Sequence, residues 1–190
     1  EPVEGEDYGE TLKKLLGSWD ICSKEWVIRQ YDHEVQGASV VKPLVGVDNS
    51  GPGDAAVITP ILGDTRAIAV SNGIKAGYSD IDPYGMAALA IDEALRNLVS
   101  VGAPPDRVAI LDNFCWGNCN KPDRLGGLVR AAKACHDVAM AHGTPLTSGQ
   151  ASPNNEFALQ GDAIVLPATL LTRAVSGITA RHQAVPTELT

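Results

Sequence analysis

The sequence predicts an α/β sandwich in which a mixed sheet is covered on one face by two long helices. Short apolar runs bounded by turn residues recur at least four times, and two long segments, ending near 101 and 142, carry helical periodicity. No Gly-x-Gly-x-x-Gly follows the first strand, which separates the pattern from a dinucleotide-binding wheel.

Taken in chain order, Asp7 to Leu16 reads as a short amphipathic helix with Leu12, Leu15 and Leu16 on one side, ended by Gly17. Residues 1–38 are expected to form this helix and a linker, and residues 39–190 the main domain. Ser39 to Val47 and Ala55 to Thr59 read as strands, and Gly46 to Gly53, rich in Gly, Asp, Asn and Ser, as a mobile loop between them. Ala67 to Ser71 is the next strand. From Asp82 a helix begins, because Asp82 is a good cap and Pro83 suits a first turn. Met86, Ala90, Ala94 and Val101 recur on its apolar face. Arg107 to Leu111 reads as a buried strand ending in Asp112-Asn113. A second long helix, Asp123 to His142, places Leu125, Leu128, Val129, Ala132, Cys135 and Ala139 on one face, and Gly143 stops it. After Pro145-Leu146-Thr147 a run of small residues reaches Glu156, and Thr169 to Thr179 supplies a last strand.

The chain has 190 residues and 44% hydrophobic content, enough to bury about two thirds to three quarters of its unfolded surface in one core. Its formal net charge of -8, with no Lys/Arg cluster, argues against nucleic acid or an anionic membrane as partner. It leaves room for a phosphorylated ligand held by backbone amides and a metal. No apolar span of membrane length and no signal-peptide pattern occurs, and the first residue is Glu1 rather than Met. A cytoplasmic piece of a longer polypeptide is the expectation. Cys22, Cys115, Cys119 and Cys135 lack zinc-site spacing and read as free thiols, with Cys135 in the core.

Several polar residues stand where apolar elements end. Glu93 and Asn97, four apart on a helix, project side by side along one edge of the apolar stripe. A carboxylate and an amide oxygen so placed make half a magnesium site, because that ion takes one or two protein oxygens and leaves the rest to water and phosphate. The same pair serves equally as a solvent-facing Glu and an Asn that satisfies a nearby backbone group. Asp54 sits where the turn Gly51-Pro52-Gly53 enters a strand, and an Asp there is also an ordinary turn former. In Ser148-Gly149-Gln150-Ala151-Ser152 the small residues would let backbone amides approach an anion.

Trp26-Val27-Ile28-Arg29-Gln30-Tyr31-Asp32-His33-Glu34-Val35-Gln36-Gly37, Gly53-Asp54-Ala55-Ala56-Val57, Asp82-Pro83-Tyr84, Glu93-Ala94-Leu95-Arg96-Asn97 and Asp112-Asn113-Phe114-Cys115-Trp116-Gly117-Asn118 together resemble the synthetase subunit of phosphoribosylformylglycinamidine synthase. The likeness runs from about Ser18 to about Gly177. It is to the second of two related N-terminal halves in that family, whose fold is that of aminoimidazole ribonucleotide synthetase, and it makes residues 39–190 an ATP-binding domain of that type. The resemblance implies ATP-dependent amidation of formylglycinamide ribonucleotide, with ATP and magnesium as cofactors. It implies that Asp54, Glu93 and Asn97 hold magnesium, that Asp112 and Gly149 contact ATP, and that Ser152 contacts the ribonucleotide. Relatives have Gly-Asn-Val-Ser or Gly-Lys-Asp-Ser where this chain has Gly149-Gln150-Ala151-Ser152. Gln150 keeps an oxygen for a metal but cannot replace a lysine's charge on phosphate.

The first half in this family carries a His-Asn-His-Pro catalytic segment, which is absent here. Two alternatives therefore remain: a non-catalytic half that retains a structural nucleotide, or another ATP-using enzyme of the superfamily. The resemblance implies as partners the homologous first half, whose sheet closes a barrel with this one, and a glutaminase domain or subunit. An isolated copy is expected to be inactive and to pair with itself through an exposed apolar sheet face, for which Leu170, Val175 and Ile178 are candidates.

Overall fold

A computed structural model of the chain describes residues 5, 7–32, 34–159, 162–165 and 168–185. They fall into two compact units, Glu1–His33 and Glu34–Thr190. His33 of the Gln30-Tyr31-Asp32-His33 motif lies outside the described residues.

In the first unit, α1 (Tyr8–Leu16) is capped by Asp7, whose carboxylate accepts from the backbone N–H groups of Gly9 at 2.9 Å and Glu10 at 3.2 Å. Leu12, Leu15 and Leu16 are all exposed. A single turn, α2 (Glu25–Ile28), follows.

The second unit holds the strands β1 (Ser39–Val41), β2 (Leu44–Val45), β3 (Gly51–Pro52), β4 (Ala55–Ile58), β5 (Ala67–Ile74), β6 (Val108–Cys115), β7 (Leu146–Ser152), β8 (Glu156–Leu159), β9 (Asp162–Val165) and β10 (Thr169–Ile178). Six of them form one sheet in the order β1-β4-β5-β10-β6-β7, antiparallel except for the parallel pair β6–β7. The helices α3 (Pro83–Ser100) and α4 (Pro122–His142) complete the mixed α/β fold that the pattern predicts.

Small side chains bring α3 close to the sheet. Its buried stripe is Met86, Ala87, Ala90, Ile91, Ala94 and Leu98, wider than the expected Met86, Ala90 and Ala94, with Val101 buried just past its end, and it faces Ala69 and Ser71 of β5. The Ser71 hydroxyl donates to the Ala94 carbonyl at 2.6 Å. Enclosing Met86, Ile91 and Leu98 stabilises the fold by roughly 1.5–3 kcal/mol each.

Several local expectations need correcting. Pro43 interrupts the strand expected over 39–47, leaving β1 and the short β2–β3 hairpin. On α4 the buried residues are Ala131, Ala134, Cys135 and Ala139, whereas Leu125 and Val129 are 47% and 60% exposed. The helix presents its smallest residues inward because a Cβ at Gly127 would already lie 3.3 Å from the Trp116 indole. Strand β7 continues to Ser152 where a loop was expected, because its backbone goes on pairing with β6. Leu170 and Ile178 are buried on the helix side, at 0% and 2% exposure, and Val175 alone of the three faces away. A two-residue period puts 170 and 178 on one face and 175 on the other.

Candidate functional site

Three of the magnesium candidates, Asp54, Glu93 and Asn97, gather at the C-terminal end of β5. Asp82 caps α3 by accepting from Tyr84 N–H at 3.1 Å and Gly85 N–H at 3.0 Å, and it also meets the Arg130 guanidinium of α4 at 2.5 Å, which holds its carboxyl below the ordinary range. This fixes the direction in which α3 projects Glu93 and Asn97. Glu93 accepts the Ile74 backbone N–H at 2.8 Å through one oxygen and the Lys75 ammonium at 2.9 Å through the other. Asn97 donates from Nδ2 to the Asn72 carbonyl at 3.0 Å. These backbone groups need such partners because β4 begins pairing only at Ala55, opposite Ser71, and leaves that side of β5 open beyond it. Asp54, exposed and one residue earlier, falls opposite Asn72 by the same register. Asn97 thus satisfies a backbone group and still has its carbonyl oxygen to offer.

Asp112 and Gly149 are direct cross-strand partners in the β6–β7 ladder. A Cβ at Gly149 would strike Asp112 Oδ1, so the carboxyl lies over the space the glycine leaves. Asp112 lines a largely apolar cavity of about 580 Å³ with Phe114, Cys135, Met140 and Leu146, under α4. Burial pushes its carboxyl up, and burial together with the Asp112 charge pushes the Cys135 thiol up to about 12. Cys135 is therefore a protonated core residue, and all four cysteines are free.

Gln150 alternates with Gly149 and points to the opposite face, where it borders a depression of about 90 Å³ with Asn113, Ser148 and Arg173. Ser152 pairs with Cys115 at the end of β7, and its carbonyl accepts the Trp116 N–H at 3.0 Å. The residues singled out from sequence thus divide into three groups, all at one end of the sheet. Register connects them: Ile74 pairs with Leu171, Leu171 with Asn113, and Asn113 with Gln150. Three strand spacings separate Glu93's anchor from Gln150, roughly 14 Å, so a single magnesium ion with bonds of about 2 Å does not reach both.

Two contributors carried no distinguishing sequence signal. Lys75 follows a strand like many surface lysines, yet it holds Glu93. Glu156 accepts from Asn118 N–H at 2.8 Å and Lys121 Nζ at 2.8 Å, fastening the segment after β6, where the Trp116 indole N–H also donates to the Arg124 carbonyl at 2.8 Å.

Residues 52–178 match the family model described as AIR synthase related protein, N-terminal domain. The match contains every residue of the three groups. Over 189 residues the chain is 35% identical to phosphoribosylformylglycinamidine synthase subunit PurL of Picrophilus torridus, covering 99% of this chain and 25% of that protein. It is similar in structure to PurLQS from Thermotoga maritima, with TM-score 0.70 and 26% identity over 86% of this chain and 25% of that one. T. maritima PurL complexed with AMPPCP matches with TM-score 0.68 and 25% identity over 89% of this chain and 26% of that one. The chain spans about a quarter of the length of these relatives.

Proposed function

This chain belongs to the AIR synthase related proteins, through their N-terminal domain, and from that membership we propose that it is one domain of a phosphoribosylformylglycinamidine synthase, an ATP-dependent carbon–nitrogen ligase of purine biosynthesis. The observation that carries this reading is the convergence of Asp54, Glu93, Asn97, Asp112, Gly149, Gln150 and Ser152 on one end of one sheet, inside the family match. The name of the Picrophilus relative and the AMPPCP complex of the Thermotoga one support it.

In this reading the amide oxygen of formylglycinamide ribonucleotide takes a phosphoryl group from ATP, and ammonia then displaces phosphate to leave the amidine. Such chemistry rests on positioning and charge stabilisation more than on a conventional base. Asp54, Glu93 and Asn97 offer the hard oxygens that suit magnesium, which when bound would neutralise charge on the phosphoryl oxygens. Gln150 offers an oxygen to a separate ion. Gly149 and Asp112 meet ATP, the glycine leaving room on β7 for the Asp112 carboxyl that lines the cavity beside it, and Ser152 meets the ribonucleotide. Calorimetry with ATP tests this: binding should require magnesium, and equal affinity with and without the metal would remove the metal assignment.

We further infer that the chain works in the cytoplasm with the homologous first half and a glutaminase partner that delivers ammonia. Supporting the first is the sheet face turned away from the helices, which carries Val70 and Val175 and leaves Ile58 and Ile74 exposed. Alone, the chain should dimerise through that face and form no product from formylglycinamide ribonucleotide, ATP and ammonium. Light scattering giving a monomer mass at tens of micromolar would refute the dimer. The second reading, a non-catalytic half with a structural nucleotide, is favoured by the absence of a His-Asn-His-Pro segment. ADP retained through purification would select it.

A further inference from the structure

We propose that Lys75 is a tethered cation that occupies the Glu93 carboxylate until magnesium displaces it, and so sets how tightly this chain binds the metal. The inference rests on the metal role proposed for Glu93.

Both oxygens of Glu93 are engaged, one by the Ile74 backbone N–H at 2.8 Å and the other by the Lys75 ammonium at 2.9 Å. The two partners differ in how firmly they are held. Ile74 is the last residue of β5, paired across to Leu171, and its N–H cannot leave without unpicking the sheet. Lys75 lies just beyond the strand, on a segment that turns at Gly77 with φ of 83°, and its charge sits on a flexible four-carbon stem. Both side chains of the ion pair are 32% exposed, so the ammonium can exchange Glu93 for water at small cost.

Magnesium and the ammonium compete for the same oxygen. A carboxylate oxygen bonded to magnesium at about 2 Å has the ion where the ammonium now donates, and two cations there repel. The Ile74 N–H does not compete in this way, because it uses the other oxygen and carries no net charge. It holds the carboxylate oriented while the cation changes. Asn97, already anchored through Nδ2 to the Asn72 carbonyl, likewise keeps its carbonyl oxygen for the incoming ion. Among the contacts of the described residues, only that of Lys75 must break for the oxygens of Glu93 and Asn97 to receive a metal. Lys75 therefore lowers magnesium affinity while keeping Glu93 neutralised in the metal-free chain.

The test is a calorimetric titration of magnesium chloride, at fixed ionic strength and without nucleotide, into the wild-type chain and its Lys75→Gln and Lys75→Arg variants. Lys75→Gln should bind magnesium roughly two- to fivefold more tightly, the range an exposed ion pair contributes, and Lys75→Arg, which keeps the charge, should stay close to wild type. Equal or weaker binding by a folded Lys75→Gln overturns the exchange and leaves the metal reading standing. Failure of all three proteins to bind overturns the metal reading and this inference with it. A measurement on the wild type alone guards against misfolding of the variant: acetylation of Lys75 by acetic anhydride, followed by mass spectrometry, should speed up when magnesium replaces sodium. An unchanged rate in a chain that binds magnesium also overturns the proposal.

Discussion

The Ala90 carbonyl of α3 lies directly over Gly73 of β5, with the Ala94 amide beside it, so that a Cβ at position 73 would overlap the helix backbone. Strand and helix touch here without any side chain between them. The contact sits one residue from Asn72 and Ile74, the two backbone groups that receive Asn97 and Glu93. Close approach at Gly73 is what lets those side chains reach the strand.

Gly73→Ala should therefore push α3 off the sheet, because the obstacle is backbone and cannot rotate away. We expect a loss of about 3 kcal/mol, or roughly 6–12 °C in Tm, measured by calorimetric melting. A change below about 1 kcal/mol would show that the helix is not held at this distance.

Gly149→Ala meets a different obstacle, the far end of the Asp112 side chain. Rotating Asp112 out of the way costs about 0.5–1.5 kcal/mol, so Tm should move little. ATP affinity in the presence of magnesium should nevertheless fall by at least roughly tenfold, the equivalent of about 1.4 kcal/mol, since the methyl group drives the Asp112 carboxyl from its place beside β7. Unchanged affinity in the folded variant would detach this pair from the nucleotide.

Burial raises the Asp112 carboxyl above its ordinary 3.8. The folded chain then holds that proton more tightly than the unfolded chain does, so ionisation of Asp112 opposes folding above both pKa values and has no effect below 3.8. Asp112→Asn should melt higher than wild type at pH 7, with the difference shrinking to nothing as the pH falls toward 3.8. Melting curves for both proteins across this range decide the sign.

Asp137 behaves oppositely. It accepts from Lys133 at 2.7 Å, from the Tyr84 hydroxyl at 3.0 Å and from His136 at 3.1 Å, and these contacts, led by Lys133, hold its carboxyl down at about 2. Its contribution to stability is fully present above the ordinary 3.8 and is lost as the pH falls from there toward about 2. Asp137→Asn should be less stable than wild type at pH 7 and equal to it near pH 2, as read from urea unfolding at each pH.

The two long helices and most of the central strands were determined by the sequence alone, since local chemistry decides them: Asp82-Pro83 begins α3, Gly143 ends α4 with φ of 65°, and the stripe Met86, Ala90, Ala94 becomes the core, whereas the β2–β3 and β8–β9 pairs carried no such signal. The candidate polar residues were legible too, because Asp54 and Asp112 stand beside apolar strand runs and Glu93 and Asn97 along the apolar stripe of α3. Tertiary structure decided what each of them faces. Leu125 and Val129 fit a helical stripe, yet Gly127, Ala131 and Ala134 allow closer packing and win the interior. Gly149 and Gln150 are neighbours in sequence, but the two-residue period of β7 sends them to opposite faces of the sheet. Lys75 reaches Glu93 across 18 residues, and Gly73 matters only because Ala90 arrives above it. Spacing along a chain records which residues share a helix or strand, whereas the contacts that give a side chain its charge, partner and room come from elements far apart in sequence.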